Sequence, residues 1–129
     1  MKTVYICSPF RAATERLFDN HIEYAQELTG KALDAGLAPI TPHLYLTQCI
    51  DEDNEAEREK GLRAGEALML TCNALVIGAR YGVSEGMKRE IAQATLRGIP
   101  IVAIADGTSP QEMKELIEEV TSCEALAER

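Results

Sequence analysis

Four short apolar runs recur along this chain with a helix-period segment between each and the next, and that alternation limits the possible folds sharply. Val4-Tyr5-Ile6-Cys7 favours a strand and is stopped by Ser8-Pro9. Leu37 to Thr41 reads as a second, short strand cut off by Pro42, Asn73 to Gly78 is the clearest strand, and Ile99 to Ala105 is the fourth. Between the first two, Ile22, Ala25, Leu28/Thr29 and Ala32/Leu33 recur at helical spacing, with Asp19 or Asn20 as the expected N-cap and Gly36 as the stop. A polar stretch, 43–52, precedes a helix over about 54–71; another runs over about 85–97 and closes at Gly98. Ser109-Pro110 opens a last, acidic helix with proline in its first turn. Apolar strands separated by helices predict a parallel sheet covered on both faces. Right-handed crossovers then give a doubly wound α/β three-layer sandwich, Rossmann-like or flavodoxin-like, with four to five strands. The 129 residues are read as a single domain, 1–129, large enough for a core without staples.

Charge and composition exclude several function classes. The net charge is −8, and two segments carry all of it: 51–60 and 111–129 each hold six acids and two bases. No basic patch for a nucleic-acid polymer or an anionic membrane is expected from that balance, and both acidic segments read most simply as solvated helix faces. Aromatic residues are 5% of the chain and tryptophan is absent, so an aromatic platform for single strands is hard to assemble. Cysteines stand at 7, 49, 72 and 123 without C-x-x-C or nearby histidines, which speaks against zinc and a disulfide framework. Cys7 and Cys72 lie in or beside apolar runs, where cysteine is a small buried hydrophobe. No apolar run approaches membrane-spanning length and Met1 leads directly into a strand-like segment, so a cytoplasmic protein is expected.

In such sheets ligands bind beyond the carboxyl ends of the strands, which nominates the loops 8–18, 42–52, 79–86 and 106–109. G-x-G-x-x-G is missing after the first strand, and G-x-x-x-x-G-K-[ST] is missing throughout, so dinucleotide and P-loop readings lose their support. The first strand ends instead in Cys7-Ser8-Pro9-Phe10-Arg11, where a hydroxyl and a guanidinium suit a phosphate or a sugar hydroxyl. The plain alternative is a Ser-Pro turn with Arg11 in solvent. More informative is the stretch from Gly78 to Ile91. Ser84 is placed to cap a helix whose free N–H groups face the crevice and favour an anion. Glu90 lies in the second turn of that helix and leans back over Gly86, which has no side chain, leaving room for a flat or ring-shaped ligand. A carboxylate there can serve as a nucleophile at an electrophilic sugar carbon. The structural alternative makes Glu90 a surface residue paired with Lys88 or Arg97, and Gly86 a close-packing device.

The pattern S-x-G-x-x-x-E-[IL]-x-x-A-x-x-x-[GN], carried by Ser84, Gly86, Glu90, Ile91, Ala94 and Gly98, resembles the motif of the nucleoside 2-deoxyribosyltransferase superfamily. That superfamily includes the 2′-deoxynucleoside 5′-phosphate N-hydrolases. The stretch from Tyr5 to Arg11 resembles its first strand and substrate loop, and Thr41-Pro42-His43 resembles a T-x-H at the end of its second strand. The likeness spans about residues 3–105, and a branch of uncharacterised small proteins carries a closer version of the pattern. One departure is marked. The enzymes carry an Asp eight residues ahead of the Asp that opens their third strand, whereas Gly65 and Asn73 stand at those positions here.

The resemblance implies cleavage or transfer at the N-glycosidic bond of a (deoxy)nucleoside or its 5′-monophosphate. Glu90 would attack C1′ to form a glycosyl-enzyme ester, and water or a second base would resolve it. The acid that protonates the departing base is sought among Glu66, Asp51, Glu85 and His43; Glu66 adjoins Gly65 but is turned about 100° from it on a helix. His43, following Pro42, also reads as a loop-structural hydrogen bond. Tyr5 and Phe10 would line the pocket, although a strand tyrosine also reads as core, and Arg11, Ser84 and Arg80 would hold a 5′-phosphate with Ser8 alongside. No metal or cofactor is called for, and a homo-oligomer, dimer or higher, is implied. The competing reading is a non-catalytic nucleotide-binding or sensing module of the same fold, favoured by Gly65. Phosphoribohydrolase relatives rank last, because P-G-G-x-G-T is absent.

Overall fold

A computed structural model describes residues 1–122; Cys123 and the end of the acidic segment 111–129 lie outside the described residues. The strands are β1 (Thr3–Cys7), β2 (Ala38–Ile40), β3 (Ala74–Gly78) and β4 (Ile101–Ile104), and the helices are α1 (Glu15–Asp34), α2 (Glu55–Met69), α3 (Glu85–Leu96) and α4 (Pro110–Val120). All pairings are parallel and the sheet order is β2-β1-β3-β4, with Tyr5 in register with Ile40 on one side and Leu75 on the other. The chain turns outward from β1 to β2 and then crosses back to β3. The change of direction therefore falls between β1 and β3, whose carboxyl ends are Cys7 and Gly78.

Two-residue alternation divides the core into two layers. Val4 and Ile6 join Val76, Val102, Tyr24, Leu28, Met113 and Ile117 beneath α1 and α4. Tyr5 and Cys7 point the other way, into a layer with Leu75, Ile77, Met69 and Met87 beneath α2 and α3. Burial on both faces explains why the central strands β1 and β3 read as unbroken apolar runs, while the edge strands β2 and β4 are only partly buried. Each fully buried side chain of the size of Ile6 or Leu75 contributes about 1.5–3 kcal/mol. As expected, Cys7 and Cys72 are buried thiols; Cys49 is exposed.

Element boundaries depart from the pattern where local capping outweighs apolar spacing. Helix α1 begins at Glu15, ahead of the expected Asp19 or Asn20. Thr14 Oγ1 accepts from the backbone N–H of Leu17 at 3.1 Å, and the first residues of the helix are not core-facing, so no apolar period announces them. Strand β2 keeps only three residues. Leu37 N–H closes the end of α1 by donating to Ala32 O at 3.0 Å, beside Gly36 at φ +77°, and Thr41 is buried with its hydroxyl 2.6 Å from that of Thr29. The polar stretch folds into two single-turn 3₁₀ helices, Pro42–Leu44 and Leu46–Gln48. Ser84 and Ser109 cap α3 and α4 as expected, the latter in a reciprocal capping box with Glu112. Among the described residues no helix is long and apolar enough to cross a membrane.

Candidate active site

A cavity of about 290 Å³ opens beyond the carboxyl end of β1, walled by the loop after β1, the 3₁₀ turns, α2 and the start of α3. It gathers Tyr5, Ser8, Phe10, Arg11, His43, Glu66, Ser84, Gly86 and Glu90, nine of the ten residues singled out from the sequence. The tenth, Arg80, is placed elsewhere. Its guanidinium donates to Glu27 Oε2 at 2.6 Å and Asp106 Oδ1 at 3.0 Å and lies 4.3 Å from the centre of the Tyr24 ring. Those two acids keep its charge on the α1 face, away from the cavity, and so correct the expectation that it holds a phosphate.

Glu90 faces inward. Lys88, its suggested surface partner, pairs instead with Glu85 at 3.2 Å. The Glu90 carboxylate accepts a hydrogen bond from the Tyr5 hydroxyl. Burial pushes its pKa up to about 7; the Tyr5 hydrogen bond opposes that rise and the nearby charge of Glu66 adds to it. Burial also lifts the Tyr5 hydroxyl and the Cys7 thiol well above their ordinary ranges, with the Glu90 charge as the next cause. A methyl group placed at Gly86 would meet only Ser84 Oγ, at 4.0 Å, so this glycine is not demanded by close packing and the room above Glu90 belongs to the cavity. Gly65 is different: a Cβ there would lie 3.2 Å from the Tyr5 hydroxyl, so the tyrosine tip occupies the space that a side chain at 65 would enter.

The remaining residues form the rim and the far wall. Ser8 lines the cavity and is 1% exposed, and its buried Oγ has no hydrogen-bond partner within the protein. The His43 ring stacks on Phe10, centroids 5.0 Å apart and planes at 18°, and bonds to the backbone carbonyl of Ser8. Burial lowers its pKa to about 4, so it is a neutral imidazole near neutrality. Ser84 Oγ is committed to the cap, accepting from Met87 N–H at 3.2 Å. Arg11 is an exposed residue of the cavity wall, and its guanidinium donates to Glu52 O at 3.1 Å. Glu66 accepts from Arg89 Nε at 3.2 Å. Of the other acids considered, Glu85 lies on the rim, while Asp51 is outside the cavity and accepts from Asp53 N–H at 3.0 Å. Asn73 lies at the opposite end of the sheet, where its Oδ1 accepts from Thr3 N–H at 2.8 Å. Arg58, Arg89, Leu46, Ile50 and Leu62 also line the cavity and were not anticipated. Within the stretch read as polar, Leu44-Tyr45-Leu46 and Cys49-Ile50 were the sequence signal for that wall. Among the described residues, no group of three or more His, Cys, Asp or Glu side chains is arranged to hold a metal ion.

The chain belongs to the family described as a domain of unknown function, DUF7768, whose model matches residues 2–104. A search of curated proteins finds no match. Among solved structures, the chain is similar to a 2-deoxyribosyltransferase from the psychrotolerant bacterium Bacillus psychrosaccharolyticus, with a TM-score of 0.64 at 13% identity over 96% of this chain and 95% of that one. The fold is therefore that of the 2-deoxyribosyltransferases.

Proposed function

We propose that this chain is an N-glycosidic-bond enzyme acting on a (deoxy)nucleoside or its 5′-monophosphate as a hydrolase or transferase, with Glu90 as nucleophile. The observation that carries the reading is the Glu90 carboxylate, turned into the cavity, held by the Tyr5 hydroxyl and left with open space on the side of Gly86. Fixing the nucleophile's orientation and keeping water from most of its surface both favour attack on an electrophilic carbon. Glu90 bonds to C1′ as the base departs, through an oxocarbenium-like transition state, and water or an acceptor base then takes the sugar. Ser8, with its unpartnered hydroxyl, and Arg11 suit the polar sugar or phosphate. Phe10 and the neutral His43 offer a flat wall to a ring. The whole chain acts as one domain, and a homo-oligomer completes the proposal.

One observation favours a second reading, a nucleotide-binding module without turnover: Glu66, the second acid whose charge acts on Glu90, is already engaged by Arg89. Incubation with deoxynucleosides and their monophosphates separates the two. Release of free base by the wild type, lost in Glu90→Ala with an unchanged circular dichroism spectrum, supports the enzyme. Thermal stabilisation by a nucleotide with no base released from any substrate supports the module.

A further inference from the structure

We propose that the preferred substrates are cationic N-glycosides, such as ribosyl- or deoxyribosyl-pyridinium compounds, whose base departs as a neutral molecule without taking up a proton; this rests on the glycosidic reading above. A neutral purine or pyrimidine must receive a proton as it leaves, and a positioned acid typically supplies about 10²–10⁴-fold of the rate. Such an acid needs a proton and freedom to give it. Among the described residues lining the cavity, the candidates are otherwise occupied. Glu66 accepts from Arg89 at 3.2 Å, Glu85 pairs with Lys88 at 3.2 Å, and Glu52 lies 4.0 Å from Arg58. A carboxylate engaged by a cation is an acceptor with no proton to offer. His43 bonds to the Ser8 carbonyl, and the Tyr5 O–H is directed at Glu90. Position 65 is glycine, with the tyrosine tip 3.2 Å from where a Cβ would stand. Glu90 cannot attack C1′ and protonate the base in the same step.

The charge arrangement points the same way. The guanidinium groups of the cavity wall are engaged by other partners, Arg58 by Glu52, Arg89 by Glu59 and Glu66, and Arg11 by the Glu52 carbonyl; among the described residues none pairs with Glu90, on which the like charge of Glu66 acts. A substrate carrying its own positive charge supplies the missing counter-charge inside a cavity where it is weakly screened. Leu46, Ile50 and Leu62 make part of the wall apolar, and Thr47 Oγ1 there is spent on His43 O at 2.9 Å, so a flat ring is accepted by shape. The step balances without an acid. A Glu90 oxygen bonds to C1′, the C1′–N bond breaks, and its electron pair neutralises the ring nitrogen. Water then attacks C1′, the ester bond breaks, Glu90 regains its carboxylate, and one proton passes to solvent.

A matched pair isolates this chemistry: 7-methylguanosine 5′-monophosphate, whose base leaves neutral, against guanosine 5′-monophosphate, whose base does not. Nicotinamide mononucleotide and nicotinamide riboside extend the cationic arm, and deoxyadenosine and its monophosphate extend the neutral one. The expected result is base release from the cationic member at least about 100-fold faster than from its neutral partner, abolished in Glu90→Ala. A smaller ratio, or faster release from neutral substrates, overturns the cationic preference and leaves the glycosidic reading standing. If neither arm yields base above the Glu90→Ala background, the glycosidic reading falls and this inference with it.

Discussion

Replacing Glu90 by Gln should stabilise the protein, and by an amount that depends on pH in a prescribed way. The Glu90 carboxyl is raised from its ordinary 4.5 to about 7, chiefly by burial. A carboxyl raised on folding favours the protonated native state, so its contribution is fully present below pH 4.5 and is lost as pH climbs to about 7. At about 1.4 kcal/mol per pH unit, the wild type forfeits about 3 kcal/mol across that window. Glutamine is neutral throughout, has nearly the same shape and still accepts from the Tyr5 hydroxyl. The two proteins should therefore differ little near pH 4 and diverge until, above pH 8, the variant is more stable by about 3 kcal/mol, a rise in Tm on the order of 10 °C. Tyr5 and Cys7, which face Glu90, titrate far above this window, and Glu66 is common to both proteins, so the difference reports Glu90. Urea unfolding from pH 4 to 8.5, with slopes compared to confirm two-state behaviour, reads it directly. A stability difference flat with pH would refute the desolvated carboxylate and the active-site argument built on it.

Further outcomes follow from the same geometry. The kcat/KM for base release should rise with pH, half-maximal near 7. In Tyr5→Phe the inflection should move upward, because the hydrogen bond that holds the Glu90 carboxyl down is gone; a pH–rate profile that does not move removes Tyr5 from that role. Gly78→Ala should cost about 1–3 kcal/mol in chemical denaturation, since the added methyl would press on Leu28 Cδ1 and lie 2.6 Å from Tyr24 Oη at the end of β3. Ser109→Ala should lose about 1 kcal/mol through the α4 capping box, with no effect on any activity.

The sheet was legible because Val4 to Cys7 and Ala74 to Gly78 bury both faces, which forces unbroken apolar runs that no exposed element would carry. The start of α1 was not, because its first turn rests on the Thr14 cap and its apolar residues Leu17 and Phe18 are only half-buried, Phe18 against Phe10, while the expected signal was periodicity. At the site, Ser84, Gly86 and Glu90 could be placed together because they share one helix and its cap, where spacing fixes direction. Arg80 was misplaced for the opposite reason. A loop residue after β3 can turn either way, and only the folded chain shows Glu27 and Asp106 waiting on the α1 face. The contact of Tyr5 with the space above Gly65 joins residues sixty positions apart, and no local pattern encodes it.

A covalent glycosyl ester on Glu90 should be present in enzyme quenched with acid during turnover, where mass spectrometry detects it. A sugar-sized mass increase should map to the α3 peptide containing Glu90 and be absent from Glu90→Gln. Base release continuing through many turnovers with no such adduct, or with the adduct on another residue, would contradict it.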